Sequence, residues 1–494
     1  MSAINRKIKQ TGKNIIMKTS YRRGNLVQML SLVLCTMCGT LGTYAQGYLT
    51  DATNSNAVLT RDPARQASTE IDAVVTNPAG TAFMEDGLHL SASGIFSRRS
   101  ISFYDMNLPS FVMDAKETRI LPAVQVAYKK NEWAVSASFA SEGGYGRRKS
   151  PDGDLFINGL LSAYAGEINE SFQEMNALLM LMNALNEVPD LNVSLEDNMI
   201  FESRNVKSKL YNWTTRLGMS YRINSNISAY IGLKAHYISS KQTALASLSV
   251  VRPSTGEKWL ASDYSQNIVD ALERADFGDI DVREFQETIT ELTESLEAVS
   301  VESESSYDEW GFAPVIGLDY THENFNFGAK YEFPMKMNSM NLPAFMSVGL
   351  SWQALKKWKF AAGSNVVFAT DKSIYTSNDV SAAYNISGSA TFDINEKWLV
   401  SGGYTFSHEQ LLGDDFSIPL NVYDSHRISL GAAFRPIPKM QIDLGVSTTV
   451  NGAEWMHISN NTGFVNNDEV EFTRCGHYEF KPRVQVALGI SYCL

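Results

Sequence analysis

From Leu88 onward the chain repeats one pattern: stretches of about ten residues in which apolar and polar side chains alternate. The segment Arg483 to Leu494 shows it in full. Val484, Val486, Leu488, Ile490, Tyr492 and Leu494 share one face, with Arg483, Gln485, Ala487, Gly489 and Ser491 on the other. Period two sends successive side chains to opposite faces of a sheet. A soluble sandwich also alternates, so alternation alone does not identify the solvent. Over many segments, however, one face is Gly, Ser, Asn and Lys, and the other Val, Leu, Ile and aromatic. That division suits a barrel with lipid outside and water within.

Fourteen such segments run roughly over 88–101, 119–130, 132–142, 207–222, 226–243, 308–321, 325–338, 343–354, 358–370, 379–393, 397–408, 426–436, 439–450 and 483–494. The connections carry independent information. Those around 130–132, 222–226, 321–325, 354–358, 393–397 and 436–439 are tight turns, whereas 102–118, 143–206, 244–307, 409–425 and 451–482 are long. Short turns alternating with long loops mark an outer-membrane barrel, with turns periplasmic and loops outside. Trp133, Trp352, Trp358 and Trp398 stand beside short turns, where a headgroup-level girdle would need them. The expected fold is all-β: an outer-membrane antiparallel β-barrel of fourteen strands.

Composition closes off other classes. A mean hydropathy of −0.17 is too polar for a bundle of membrane helices, and 44% hydrophobic residues argue against disorder. A net charge of −12 disfavours nucleic acid as a partner. The one markedly hydrophobic stretch, residues 26–41, follows Arg22 and Arg23 and precedes Thr43-Tyr44-Ala45. A basic start, a short apolar run and a small-residue site read as a secretory signal peptide over residues 1–45, with Met1 or Met17 as the start. Residues 1–45 carry seven basic and no acidic residues, so the remainder is more acidic than the whole. Cys35 and Cys38 leave with that segment; pairing of the remaining Cys475 and Cys493 stays open.

Two of the long connections have helical spacing, near 153–187 and 265–299. In the first, Leu160, Leu161, Tyr164, Ile168, Phe172, Met175, Leu179 and Met182 form a wide apolar stripe. It reads either as an adaptable surface for apolar ligands, carried by Leu161, Tyr164, Phe172, Met175 and Leu179, or as a structural cap on the barrel mouth. Residues 252–306 hold four basic and fourteen acidic residues, a solvated outer face suited to divalent-ion bridging to lipopolysaccharide. No enzyme constellation stands out. His408-Glu409 and His322-Glu323 lack a second histidine four residues after the first, and no phosphate-binding loop or nucleophile elbow occurs. No metal and no cofactor are expected.

Residues 46–86 do not alternate. Ala64-Arg65-Gln66-Ala67 is followed by Ala73-Val74-Val75-Thr76-Asn77-Pro78-Ala79-Gly80 and then Leu88-His89-Leu90-Ser91. This order resembles the FadL/TodX family of outer-membrane hydrophobic-substrate transporters. Trp133-Ala134-Val135, Asn326-Phe327-Gly328-Ala329-Lys330-Tyr331, Leu342-Pro343-Ala344 and Arg427-Ile428-Ser429-Leu430-Gly431 look like the family too. The resemblance implies an N-terminal plug (hatch) over 46–86 with Asn77, Pro78 and Ala79 as its motif, and a barrel over 87–494 with helical extracellular loops. It also implies a cell outer membrane of a Gram-negative bacterium, contact with its lipid, and a monomer. The cargo would be a fatty acid or aromatic hydrocarbon, released sideways through a gap in the third strand. Gly143, Gly144 and Gly146 supply the flexibility for such a gap. His236 and Lys241 are the polar residues expected in the lumen. The sequence departs from the family in ending Tyr492-Cys493-Leu494 instead of on an aromatic residue, and in lacking an arginine beside His236 and Lys241. A secretion or surface-attachment carrier and a general porin are the alternative roles.

Overall fold

The computed structural model describes residues 56–105, 112–144, 146–153, 192–274, 301–337, 341–368, 383–409, 423–451, 454–465 and 468–494, with part of a helix between 172 and 183. The expected signal peptide, and Leu161, Tyr164 and Met175 of the apolar stripe, lie outside the described residues.

Fourteen antiparallel strands close on themselves. They are β1 (Gly87–Asp105), β2 (Val112–Lys130), β3 (Trp133–Ser141, resuming at Gly146–Ser150), β4 (Asn198–Arg222), β5 (Ile227–Arg252), β6 (Val301–His322) and β7 (Phe325–Glu332). The second half comprises β8 (Ala344–Leu355), β9 (Trp358–Phe368), β10 (Ala383–Asp393), β11 (Trp398–Glu409), β12 (Tyr423–Ile437), β13 (Met440–Asn451) and β14 (Arg483–Cys493). Each pairs with its sequence neighbour, and β14 pairs with both β13 and β1, which shuts the sheet. Closure leaves no bare edge within the wall.

The two faces have opposite chemistry. Large apolar side chains point outward and stay exposed, as at Ile120 (64%), Ile231 (65%) and Leu430 (63%). Inward positions such as Ser429, Asn385, Gln485 and Arg483 are buried. An apolar belt on this scale is explained by lipid as the outer solvent. No described helix is long and apolar enough to cross a membrane, and the apolar belt lies on the strands. At the turn end, Trp133, Trp352, Trp358 and Trp398 all lie exposed on the outer surface. Trp352 stacks on Phe325, and Trp398 on Phe434.

At the opposite end the strands outrun the alternation pattern. β4 and β5 have 25 and 26 residues, whereas about 9–11 suffice to span a bilayer. The connections expected over 143–206 and 244–307 are thus partly strand. Beyond the lipid the outer face is polar, as at exposed Lys207 and Lys209, so the apolar half of the signal disappears while pairing continues. Similarly, the connection expected over 451–482 contains a further hairpin, Glu454–Val465 with Asp468–Phe480, whose second strand pairs with the upper part of β1.

Candidate functional site: the luminal segment and the break in the third strand

The chain ahead of β1 lies inside the barrel. It forms helix α1 (Ala57–Arg61), capped by the Asn56 side chain accepting from the Val58 amide at 3.0 Å, then α2 (Ala73–Thr76) and a 3-10 turn (Pro78–Phe83). Pro78 opens that turn, at a position where its missing N–H costs nothing. The segment is seated by absences in the wall. A Cβ on Gly349 of β8 would lie 2.6 Å from the Gln66 Cβ, and one on Gly328 of β7 only 2.4 Å from the Gln66 carbonyl oxygen. Gly328 and Gly363 sit directly opposite Gly349 on its two neighbours, so a bare trench crosses three strands at this point.

Buried polar contacts then fix the segment. Arg61 donates to Asp443 of β13 at 2.8 Å and to Ser401 of β11 at 2.8 Å. Asn77 donates to the Ser68 carbonyl at 3.0 Å and to Asp319 of β6, while Asn326 of β7 donates to the Ala67 carbonyl at 2.9 Å. Ser228 donates to the Ala79 carbonyl at 2.7 Å. Arg65 folds the segment onto itself, meeting Asp72 through two bonds of 2.8 Å, Glu70 at 2.7 Å and Ser68 at 2.8 Å. Burial works against the Arg65 charge, but Asp72, Glu70 and Asp62 more than offset it and raise its pKa. Arg65 in turn holds the Glu70 carboxyl well below the usual carboxylate range.

The third strand is broken. β2 pairs with β3 up to Ala123 and Ala140, and again from Thr118 and Arg147, so the ladder skips residues 119–122 of β2 and 141–146 of β3. On the far side, Ser141 faces Trp213 and Gly146 faces Leu210. β3 thus has six residues against four of β2, and four, Glu142 to Tyr145, against two of β4, a surplus of two on both sides. The surplus is accommodated by Gly143, Gly144 and Gly146 at φ of 95°, 79° and 69°, a region that favours glycine. Pro122, which has no N–H to leave unpaired, stands where the β2 ladder lapses.

A buried charge cluster backs the break. Arg216 of β4 donates to both oxygens of Glu142, one at 2.8 Å, and to Glu332 of β7 at 3.0 Å. Lys234 of β5 and Lys330 of β7 also donate to Glu332, at 2.6 and 2.8 Å. Among the residues expected from sequence, His236 does face the lumen, buried and 3.1 Å from Thr214. Lys241 does not: five positions on, with continuous pairing, it has the opposite parity and is exposed on the outer face. Arg216, Glu332 and Lys330 were not anticipated. They sit on two strands far apart in sequence, β4 and β7, and only the inward parity of Arg216 marked it.

Of the apolar stripe, two candidate residues fall among those described. Phe172 and Leu179 are buried, at 1% and 0% exposure, and Phe172 packs on Tyr264 of α3 (Ala261–Arg274) with ring centres 5.6 Å apart. An apolar helical stripe finds a second helix before it finds a ligand. Asp197 anchors this assembly, accepting from Tyr264 at 2.7 Å and from Arg252 at 2.7 and 2.9 Å. Replacing Asp197 with Ala should cost the insertion about 2 kcal/mol, by removing two charged hydrogen bonds from Arg252 and the acceptor nearest the Tyr264 hydroxyl. Hydrogen exchange should rise across 261–274 and stay unchanged in the barrel strands below.

A closed fourteen-stranded wall, apolar outside and polar within, holding its own N-terminal chain and broken in one strand, defines a transmembrane β-barrel of the outer-membrane type. Its fold is that of the FadL/TodX barrels. The Pseudomonas putida toluene transporter TodX aligns over 92% of this chain and 99% of its own, with a TM-score of 0.51 and 14% identity. A Pseudomonas aeruginosa FadL homologue covers 89% of this chain and 98% of its own, with a TM-score of 0.52 and 12% identity. A TodX variant described as a monoaromatic hydrocarbon channel gives a TM-score of 0.54 at 13% identity, over 90% of this chain and all of its own. No protein-family model and no curated protein sequence matches the chain.

Proposed function

We propose that the protein is an outer-membrane channel of the FadL/TodX kind for passive uptake of hydrophobic small molecules. Residues 46–86 act as the plug, closing the lumen to free water flow. The observation that carries this reading is the break in β3. A wall that is otherwise paired all round loses pairing at one place within the apolar belt. An apolar solute reaching that place gains by passing sideways into lipid instead of onward into water. No energy source is needed, because the gradient drives movement.

Within that class, an uncharged hydrocarbon fits better than a fatty acid. The cations of the buried cluster behind the break, Arg216, Lys234 and Lys330, are all engaged by Glu142 or Glu332, which leaves a carboxylate to compete there with resident partners. The test compares radiolabelled toluene and a labelled long-chain fatty acid in outer-membrane-intact cells with and without the protein. Toluene uptake should rise with expression, and more than fatty-acid uptake does. Equal uptake of both by the two strains would remove the transport role.

A further inference from the structure

The luminal segment and the break are joined by one unbroken run of buried contacts. At the segment end, the Lys330 ammonium donates to the Val75 carbonyl of α2 at 2.8 Å. It also donates to Glu332 Oε1 at 2.8 Å, the same oxygen that accepts from Arg216 Nη2 at 3.0 Å. Arg216 then holds both oxygens of Glu142, the first residue of the break. These four side chains are 1–5% exposed, so no solvent screens one from the next.

We propose that this run is a latch, through which seating of the N-terminal segment keeps the break in β3 closed. The shared oxygen supplies the coupling. While Val75 is in place, Lys330 divides its protons between that carbonyl and Glu332, and Arg216 keeps its share of Oε1. When the segment lifts away, Lys330 loses the carbonyl that holds it over Oε1 and leaves Glu332, whose carboxylate then draws Arg216 more fully and loosens its hold on Glu142. The surroundings favour opening once the hold weakens. Arg216 Nε, His236 Nε2, Asn212 Oδ1 and Ser141 Oγ have no hydrogen-bond partner among the described residues and are closed to water. Parting the break would hydrate them. This goes beyond the uptake reading and does not rest on it, because it concerns only how two parts of the barrel communicate.

Hydrogen exchange of the full chain in lipid nanodiscs tests it, without any transport measurement. Two amides report: Glu142, bonded to the Asn212 carbonyl at 2.7 Å, and Asn77, bonded to the Ala73 carbonyl at 2.9 Å. Lys330→Met should speed exchange at Glu142 about tenfold, and since coupling is reciprocal, Glu142→Gln should do the same at Asn77. Arg61→Gln, which frees α1 from Asp443 without touching the run, should speed exchange at 57–62 and leave Glu142 as in wild type. Heat-modifiable gel mobility confirms that each variant folds; if Lys330→Met does not, Glu142→Gln decides alone. Wild-type exchange at Asn77 in folded Glu142→Gln would overturn the latch. So would an Arg61→Gln effect at Glu142 as large as that of Lys330→Met.

Discussion

Deleting Gly143 and Gly144 is expected to abolish uptake while leaving a fully folded barrel. Between the paired stretches β3 has two residues more than either neighbour, six against four in β2 and four against two in β4. Removing the two glycines brings the count into register. Glu142 would then face Leu121, which points inward and is buried, and Tyr145 would face Ile120, which points into lipid. Parity is therefore kept on both surfaces, and the repaired strand gains ladder bonds along β2. The variant should be at least as heat-resistant as wild type on gels, with uptake at the level of cells lacking the protein. If it is folded and uptake persists, solute leaves by some route other than the break.

Replacing Arg65 with Ala should have the largest effect on the luminal segment. Among the described residues, Arg65 is the ion-pair partner of Asp72 at 1% exposure and of Asp62 at 3%, besides drawing in Glu70. Without it, buried carboxylates are left uncompensated, a loss of about 3–5 kcal/mol. The wall contacts of Arg61 and Asn77 remain, so the segment should detach locally while the strands hold. In planar bilayers, wild type should be nearly silent and Arg65→Ala should show steady conductance. Acid should weaken the same fold. Glu70 has a depressed pKa, so its contribution is present above the ordinary glutamate value of about 4.3 and is lost as pH falls through the lower folded value.

The barrel was legible because its signal is local and repeated. In Arg483 to Leu494, parity alone sorts Val484, Leu488 and Ile490 to lipid and Arg483 and Gln485 inward, and the structure agrees at each. Turn positions were equally plain. The upper strands were missed because water on both sides of the sheet erases apolar alternation. The site was legible only in part. Gly143 and Gly144 are visible as a pair, but that they amount to two surplus residues emerges only from the registers on both sides. Arg61 and Asp443, 382 positions apart, or Arg216 and Glu332, 116 apart, leave no mark on their sequence neighbourhoods. For Phe172 and Leu179 the sequence left ligand surface and structural cap both open, because their covering helix lies in another connection.

The glycine trench across β7, β8 and β9 has a consequence for any attempt to make this barrel into an open pore. Cutting away the first 84 residues would not give a smooth pipe. It would expose a furrow of naked backbone shaped to Gln66 and its neighbours, with no side chains to stiffen the wall there. The tube is a cast taken from its own beginning. A segment borrowed from another barrel should seat only where its bulk falls on the same missing side chains, so exchanging plugs between relatives is a problem of matching a key to a lock already cut.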